Sequence, residues 1–207
     1  GKEDIFLIKY DSSGLKKWTR QIGSSASDNV EDLYVDSNGN VYITGGSKGS
    51  LDNNSNAGSY DIFLMKFNTS GEKQWTRQWG TSEGDGAYGI DVDSFGNIYV
   101  TGSTYGDLDG NTNKGKSDLF LTKYNSSGSK QWTKQVGTTS MDWAQALSSD
   151  SSGNIYVSGV TAGDLDGNKN AGRNAVSFNF DKVTANQSVQ HDFSGSNQPK
   201  LISDKPG

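Results

Sequence analysis

Along most of this chain apolar and polar residues alternate with a period of two, the signature of half-buried β-strands rather than helices. Ile5 to Tyr10 is a β-branched and aromatic run that stops at Asp11-Ser12-Ser13-Gly14, and the next run carries Trp18 and stops at Gly23. Together they read as a hairpin. A third run, from about Asn29 to Val35, ends in Asp36-Ser37-Asn38-Gly39, whose glycine suits a tight turn, and a fourth follows from Asn40 to Thr44. Four short antiparallel strands joined in sequence are expected, with no helix.

The pattern recurs at a fixed interval of 57 residues. Asp4-Ile5-Phe6-Leu7 returns at Asp61 and, as Asp-Leu-Phe-Leu, at Asp118; Trp18-Thr19-Arg20-Gln21 returns at Trp75 and, with Lys134 for Arg, at Trp132. Gly39-Asn40-Val41-Tyr42 returns at Gly96 and Gly153 with Ile in place of Val. A period of this length marks a unit that cannot bury its apolar face alone and stacks on copies of itself. Four sequential strands per copy is the blade of a β-propeller, so the expected fold is all-β, with copies starting at 4, 61 and 118 and a degenerate half-copy at 175.

With the strand at Asp28, Asp85 and Asp142 innermost, residues 4–22 are the outer half of a blade, residues 28–79 and 85–136 are whole blades, and another begins at Asp142. Three inner pairs are too few for an ordinary ring of about four to eight blades. The expectation is a partial propeller, completed by another segment or another chain, with self-association through incomplete blades. Ala175 stands where the repeat predicts Asp, Ser177 replaces an aromatic, and Val189 replaces Trp. Residues 1–182 therefore read as propeller repeats, and 183–207, which hold both prolines, as a degenerate strand and linker.

The combination Asp-x-Phe-Leu-x-Lys-Tyr, Ser-Gly-x-x-x-Trp-Thr-x-Gln and Asp-x-x-Gly-Asn-x-Tyr-x-x-Gly resembles the bacterial β-propeller repeat called SBBP, over about residues 4–174. The resemblance implies a propeller in a secreted or surface protein, hence an extracellular, cell-surface or periplasmic setting. It implies no activity, because one fold hosts many functions.

Composition narrows the partners. Only 31% of the 207 residues are hydrophobic and 27 are glycine, which fits a thin, turn-rich core. A net charge of −5 with scattered Lys and Arg leaves no basic footprint for nucleic acid, and no apolar run is long enough to insert in a membrane. Cysteine is absent, excluding disulfides and thiolate metal sites.

One constellation carries ligand chemistry. Asp107, Asp109, Asn111, Asn113 and Asp118 place oxygen side chains at alternate positions around Gly110, a donor set that suits Ca²⁺, which takes six to eight oxygens. Asp164, Asp166, Asn168 and Asn170 repeat the loop without the final acid; Asp52, Asn54, Asn56 and Asp61 repeat it with Ser50 in place of the first. The same residues also make tight turns with no ion, and both readings stand for the middle loop. Trp18, Trp75 and Trp132 could stack on sugars, but at one fixed strand position they are expected to pack between blades. Asp28, Asp85 and Asp142 are expected to cap turns rather than to ring a ligand channel. His191, the sole histidine, lies in the tail and reads as a solvated residue.

No nucleophile, histidine centre or triad can be assembled, and the pair Asp91 and Asp93 is broken in the next copy by Ser148. The expected function is non-enzymatic recognition of a protein or glycan. A purely architectural spacer is the alternative and a carbohydrate-active enzyme the third reading. Trp79, Trp143, Tyr88 and Tyr105 break the repeat, and their clustering on one face would favour recognition.

Overall fold

A computed structural model describes residues 2–171 and the backbone of 176–178. Strands β1 (Ile5–Tyr10) and β2 (Lys16–Ile22) form a two-stranded sheet. Strands β3 (Asp28–Val35), β4 (Val41–Ser47), β5 (Asp61–Phe67) and β6 (Lys73–Trp79) form a four-stranded antiparallel sheet in sequence order. Strands β7 (Asp85–Val92), β8 (Ile98–Thr104), β9 (Asp118–Tyr124) and β10 (Lys130–Val136) repeat it. A last sheet holds β11 (Asp142–Ser149), β12 (Ile155–Thr161) and β13 (Val176–Phe178). These are the blades that the alternation predicts, in the predicted frame.

Two details differ from expectation. Short 3₁₀ turns occur at Leu108–Gly110 and Leu165–Gly167, where Asp109 and Asp166 take left-handed conformations (φ 51° and 48°). Asp is one of the few side chains that tolerates this region, because its short polar group bonds locally. The last sheet also slips by one position. Gly45 pairs with Phe63 and Gly102 with Phe120, but Gly159 pairs with Phe178. The aromatic is therefore displaced by one inserted residue, and Ser177 is not its replacement. Ala175, Val189, His191 and the tail 183–207 lie outside the described residues.

The Asp-x-x-Gly-Asn-x-Tyr motif has a local cause. Asp93 Oδ1 accepts the amides of Phe95 and Asn97, while its Oδ2 accepts Asn97 Nδ2 and Tyr99 Oη. Asp36 and Asp150 bind Asn40 and Tyr42, and Asn154 and Tyr156, in the same way. One carboxylate thus closes the turn and fixes the first tyrosine of the next strand.

Packing runs from blade to blade. One core lies between the first two sheets and includes Ile5, Leu7, Ile43, Phe63 and Phe67; a second, with Tyr42, Leu64, Ile90, Val100 and Phe120, joins the two four-stranded sheets. In the second blade Ile90 and Val92 are 5% and 6% exposed, whereas Leu33 and Val35, their counterparts in the first, are 53% and 52% exposed. Among the described residues the first sheet has no inner strands to cover them.

Candidate functional site: an aromatic groove on the inner strands

The repeated motif residues act as joints. Trp75, on outer strand β6, lies against Gly128 in the turn of the next blade. Arg77 stacks on the same ring, 5.1 Å from its centroid, and its Nε donates to the Gly128 carbonyl at 2.6 Å. Trp18 and Arg20 clasp Gly71 in the same manner. Packing between blades thus holds for Trp18 and Trp75. Trp132 packs tilted against Tyr99, with ring centroids 6.2 Å apart, and is 37% exposed. The glutamine of the motif is also committed: Gln78 accepts from Leu51 N and donates to Gly49 O, and Gln135 does the same with Leu108 and Gly106.

Asp28, Asp85 and Asp142 cap turns, accepting the amides of Ser24, Thr81 and Thr138 four residues earlier. Asp91 accepts Ser149 N of the next blade, and Asp93 closes its turn, so the two carboxylates serve different backbones.

In the oxygen-rich loops the side chains mostly bind the protein itself. Asp109 accepts from Lys130 Nζ and Thr133 Oγ1, both at 2.5 Å, and Asp52 is held in the same way by Lys73 and Thr76. Asp107 and Asp164 accept the amides of Asn113 and Asn170. Asn54, Asn111 and Asn168 donate to the carbonyls of Leu51, Leu108 and Leu165. Asn56 donates to Ser47 O. Asp61 and Asp118 each accept one loop amide on Oδ2, from Ala57 and Lys114, and Gln135 adds a second donor to Asp118. Their Oδ1 atoms are buried without a partner. Among the described residues no group of three or more acidic, histidine or cysteine side chains is placed to hold a metal.

Three of the four unrepeated aromatics converge. Tyr88, Tyr105 and Trp143 line two adjoining open hollows of about 220 and 510 Å³, which share Tyr88, Ser103 and Tyr105. Tyr60, Asn29 and Glu31 extend the lining on one side, and Met141 and Gln145 on the other. Trp79 is not part of it: burial places this ring against Tyr124, at 5.2 Å, inside the second core. Residues 29, 86 and 143 are one strand position in three blades, and 31, 88 and 145 another. The scaffold around these positions is constant while their side chains change, from Asn and Gly to Trp and from Glu and Tyr to Gln. That departure from the repeat is the signal by which Asn29, Glu31 and Gln145 could have been found beside the aromatics.

The β-propeller repeat SBBP matches residues 17–52, 74–109 and 131–166, more than half of the chain. The chain belongs to the SBBP β-propeller repeat family. Each matched SBBP segment runs from the outer strand that carries the tryptophan, across the inner hairpin, to the Asp-rich loop. Two curated relatives are similar over much of the chain. The regulatory protein FlaEY of Caulobacter vibrioides is 29% identical over 157 residues, which is 69% of this chain and 16% of that protein. An uncharacterized WD repeat-containing protein, L264, of Acanthamoeba polyphaga mimivirus is 27% identical over 165 residues, 66% of this chain and 12% of the relative. The SBBP repeats here thus span about an eighth to a sixth of the relatives they match.

Proposed function

We propose that these repeats form a non-enzymatic recognition module that works outside the cytoplasm, with the inner-strand groove as its ligand surface. One observation carries this reading: residues that break the repeat meet in one open groove, while the residues that keep it hold the blades together. The groove pairs exposed rings with amide, carboxylate and hydroxyl groups, and no Lys or Arg is among the described residues that line it. Such a surface suits an uncharged glycan, whose C–H faces stack on rings while its hydroxyls bond to Gln145, Asn29 and Ser103. The extracytoplasmic setting rests on the family resemblance alone. Calcium belongs to the proposal at the loop between β8 and β9, where it would displace Lys130 from Asp109, a partly exposed pair of small net worth.

Glycan-array screening followed by calorimetric titration tests the groove. Tyr88→Ala and Trp143→Ala should each weaken binding at least tenfold and leave the melting curve nearly unchanged. Equal affinity in both variants would sink the assignment. Binding of a protein segment but of no glycan would keep the groove and replace its ligand.

A further inference from the structure

The groove is not uniform along its length. No charged side chain is among the described residues that line its larger hollow, whereas the smaller one adds Glu31 and Tyr60 to the shared Tyr88 and Tyr105. Asp85 also borders the smaller hollow, but it is 2% exposed and its carboxylate serves Thr81. Between the rings the backbone is bare. A Cβ built on Gly46 would stand 3.3 Å from Tyr60 Cδ1, one on Gly84 3.9 Å from Tyr105 Cδ2, and one on Gly86 3.4 Å from Tyr88 Oη.

The chain holds these groups in place. Asp85 N donates to Tyr60 O at 2.7 Å, Tyr105 N donates to Gly84 O at 3.1 Å, and Ser103 Oγ reaches Tyr88 Oη at 3.4 Å. Glu31 and Tyr88 are each the extra residue of a β-bulge, which interrupts the pairing of β3 with β4 between Val30 and Asp32 and that of β7 with β8 between Ala87 and Gly89. A bulge re-aims the side chain it carries, and these two bring a carboxylate and a ring to one hollow. An ammonium already lies at this end: Lys48 Nζ is 4.8 Å from the centroid of the Tyr60 ring, and Lys48 is itself exposed.

We propose that the smaller hollow is a site for a quaternary ammonium ion, a small trimethylammonium compound of the choline type. Ring faces attract a cation held within about 6 Å of their centroids, and the carboxylate of Glu31 beside them adds a full negative charge. A bare ammonium holds its water tightly and brings three donors that each need an acceptor, whereas methyl groups spread the charge over an apolar surface that matches rings and glycine. Lys48 supplies a competing cation, and being exposed it can leave the ring for solvent. The site goes beyond the glycan reading, which uses these rings for C–H stacking, and it needs no sugar to be tested.

The test is a titration with choline chloride followed by amide NMR shifts, set against its neutral tert-butyl analogue, which has the same shape without the charge, and against methylammonium at equal ionic strength. Choline should give saturable shifts at Gly46, Gly84 and Gly86, and both controls should bind about tenfold more weakly or worse. Tyr60→Leu and Glu31→Gln should each weaken choline about fivefold, Tyr60→Phe should bind as the parent does, and Lys48→Gln should bind more tightly. Equal binding of the neutral analogue, no saturable shift with choline at tens of millimolar, or parent-like affinity in both Tyr60→Leu and Glu31→Gln would overturn the proposal. The probe carries no sugar, so the glycan reading can fail without this one, and this one without it.

Discussion

Alanine at Gly128 should cost far more than alanine at Gly14, although the two glycines occupy the same turn in different copies. Both take left-handed conformations, φ 75° and 82°, so both replacements incur the same backbone penalty of about 1–2 kcal/mol. At Gly14 a new Cβ meets nothing within 4 Å. At Gly128 it would stand 2.9 Å from Trp75 Cε2 and 3.0 Å from Cδ2 and Cζ2. The ring cannot easily retreat, because Tyr42 contacts it at 6.4 Å and Arg77 covers it. Overpacking of this kind adds about 1–3 kcal/mol. Gly128→Ala should therefore lose about 2–5 kcal/mol, a large part of a total near 5–15 kcal/mol. Removing the ring alone, Trp75→Ala, forfeits burial of about 100 Å² of a half-covered side chain, or about 2.5 kcal/mol. In the double variant the clash disappears, so Gly128→Ala should then cost only what Gly14→Ala costs. The coupling of about 1–3 kcal/mol is read from urea unfolding of the four proteins of the cycle, with Gly14→Ala as control and unchanged m-values as the condition for comparison. Equal losses at Gly14 and Gly128, or no relief from Trp75→Ala, would refute the claim that this ring and this glycine join the blades.

Asp93, held below the ordinary carboxylate range by Asn97 and by backbone amides that outweigh its burial, stabilises the fold above its unfolded pKa and loses that contribution as pH falls through its folded value. Asp93→Ala should cost about 2–3 kcal/mol at pH 7, and the gap from the parent should narrow in acid unfolding curves; a gap independent of pH would contradict this. Calcium at the loop between β8 and β9 should raise the melting temperature by mass action, about 2.7 kcal/mol of stabilisation at a hundred times Kd, and Asp109→Ala should abolish the dependence. No calorimetric heat and no shift with chelator would leave the loops as turns closed by Lys73 and Lys130. Leu33 and Val35 should be covered by another repeat pair in solution, so Leu33→Asp with Val35→Asp should reduce the sedimentation coefficient of an associating sample; a parent that sediments as a monomer at all concentrations refutes it.

The strands and their frame were legible because alternation fixes which face of each strand is apolar, and because Asp36, Asp93 and Asp150 mark one turn in every copy. The packing of Trp18 and Trp75 was legible for a related reason: a bulky ring at a constant position must have a constant partner. The fate of Trp79 was not. Ile22 and Val136 occupy its position in the other copies, and only the three-dimensional spacing of the sheets decides that a larger ring fits the core there. The ion pairs Lys73–Asp52 and Lys130–Asp109 join residues 21 apart across a loop, and no local pattern announces them. The slipped register at Phe178 was hidden by the regular interval itself, which assigns every residue a counterpart even where one has been inserted.

The clasp of Trp75 and Arg77 on Gly128 has a mechanical side. The strand ladders run within each blade, and between blades the main chain adds only a few bonds, such as Asp85 N to Tyr60 O and Asp142 N to Ser117 O, beside Ile90 N to Asp32 and Ser149 N to Asp91. A pull on the two ends of the chain therefore loads side-chain clasps and apolar faces in series, one junction after another. The weakest junction yields first and releases a folded blade's length of slack before the next is strained, so extension proceeds in steps set by the repeat rather than in a single rupture.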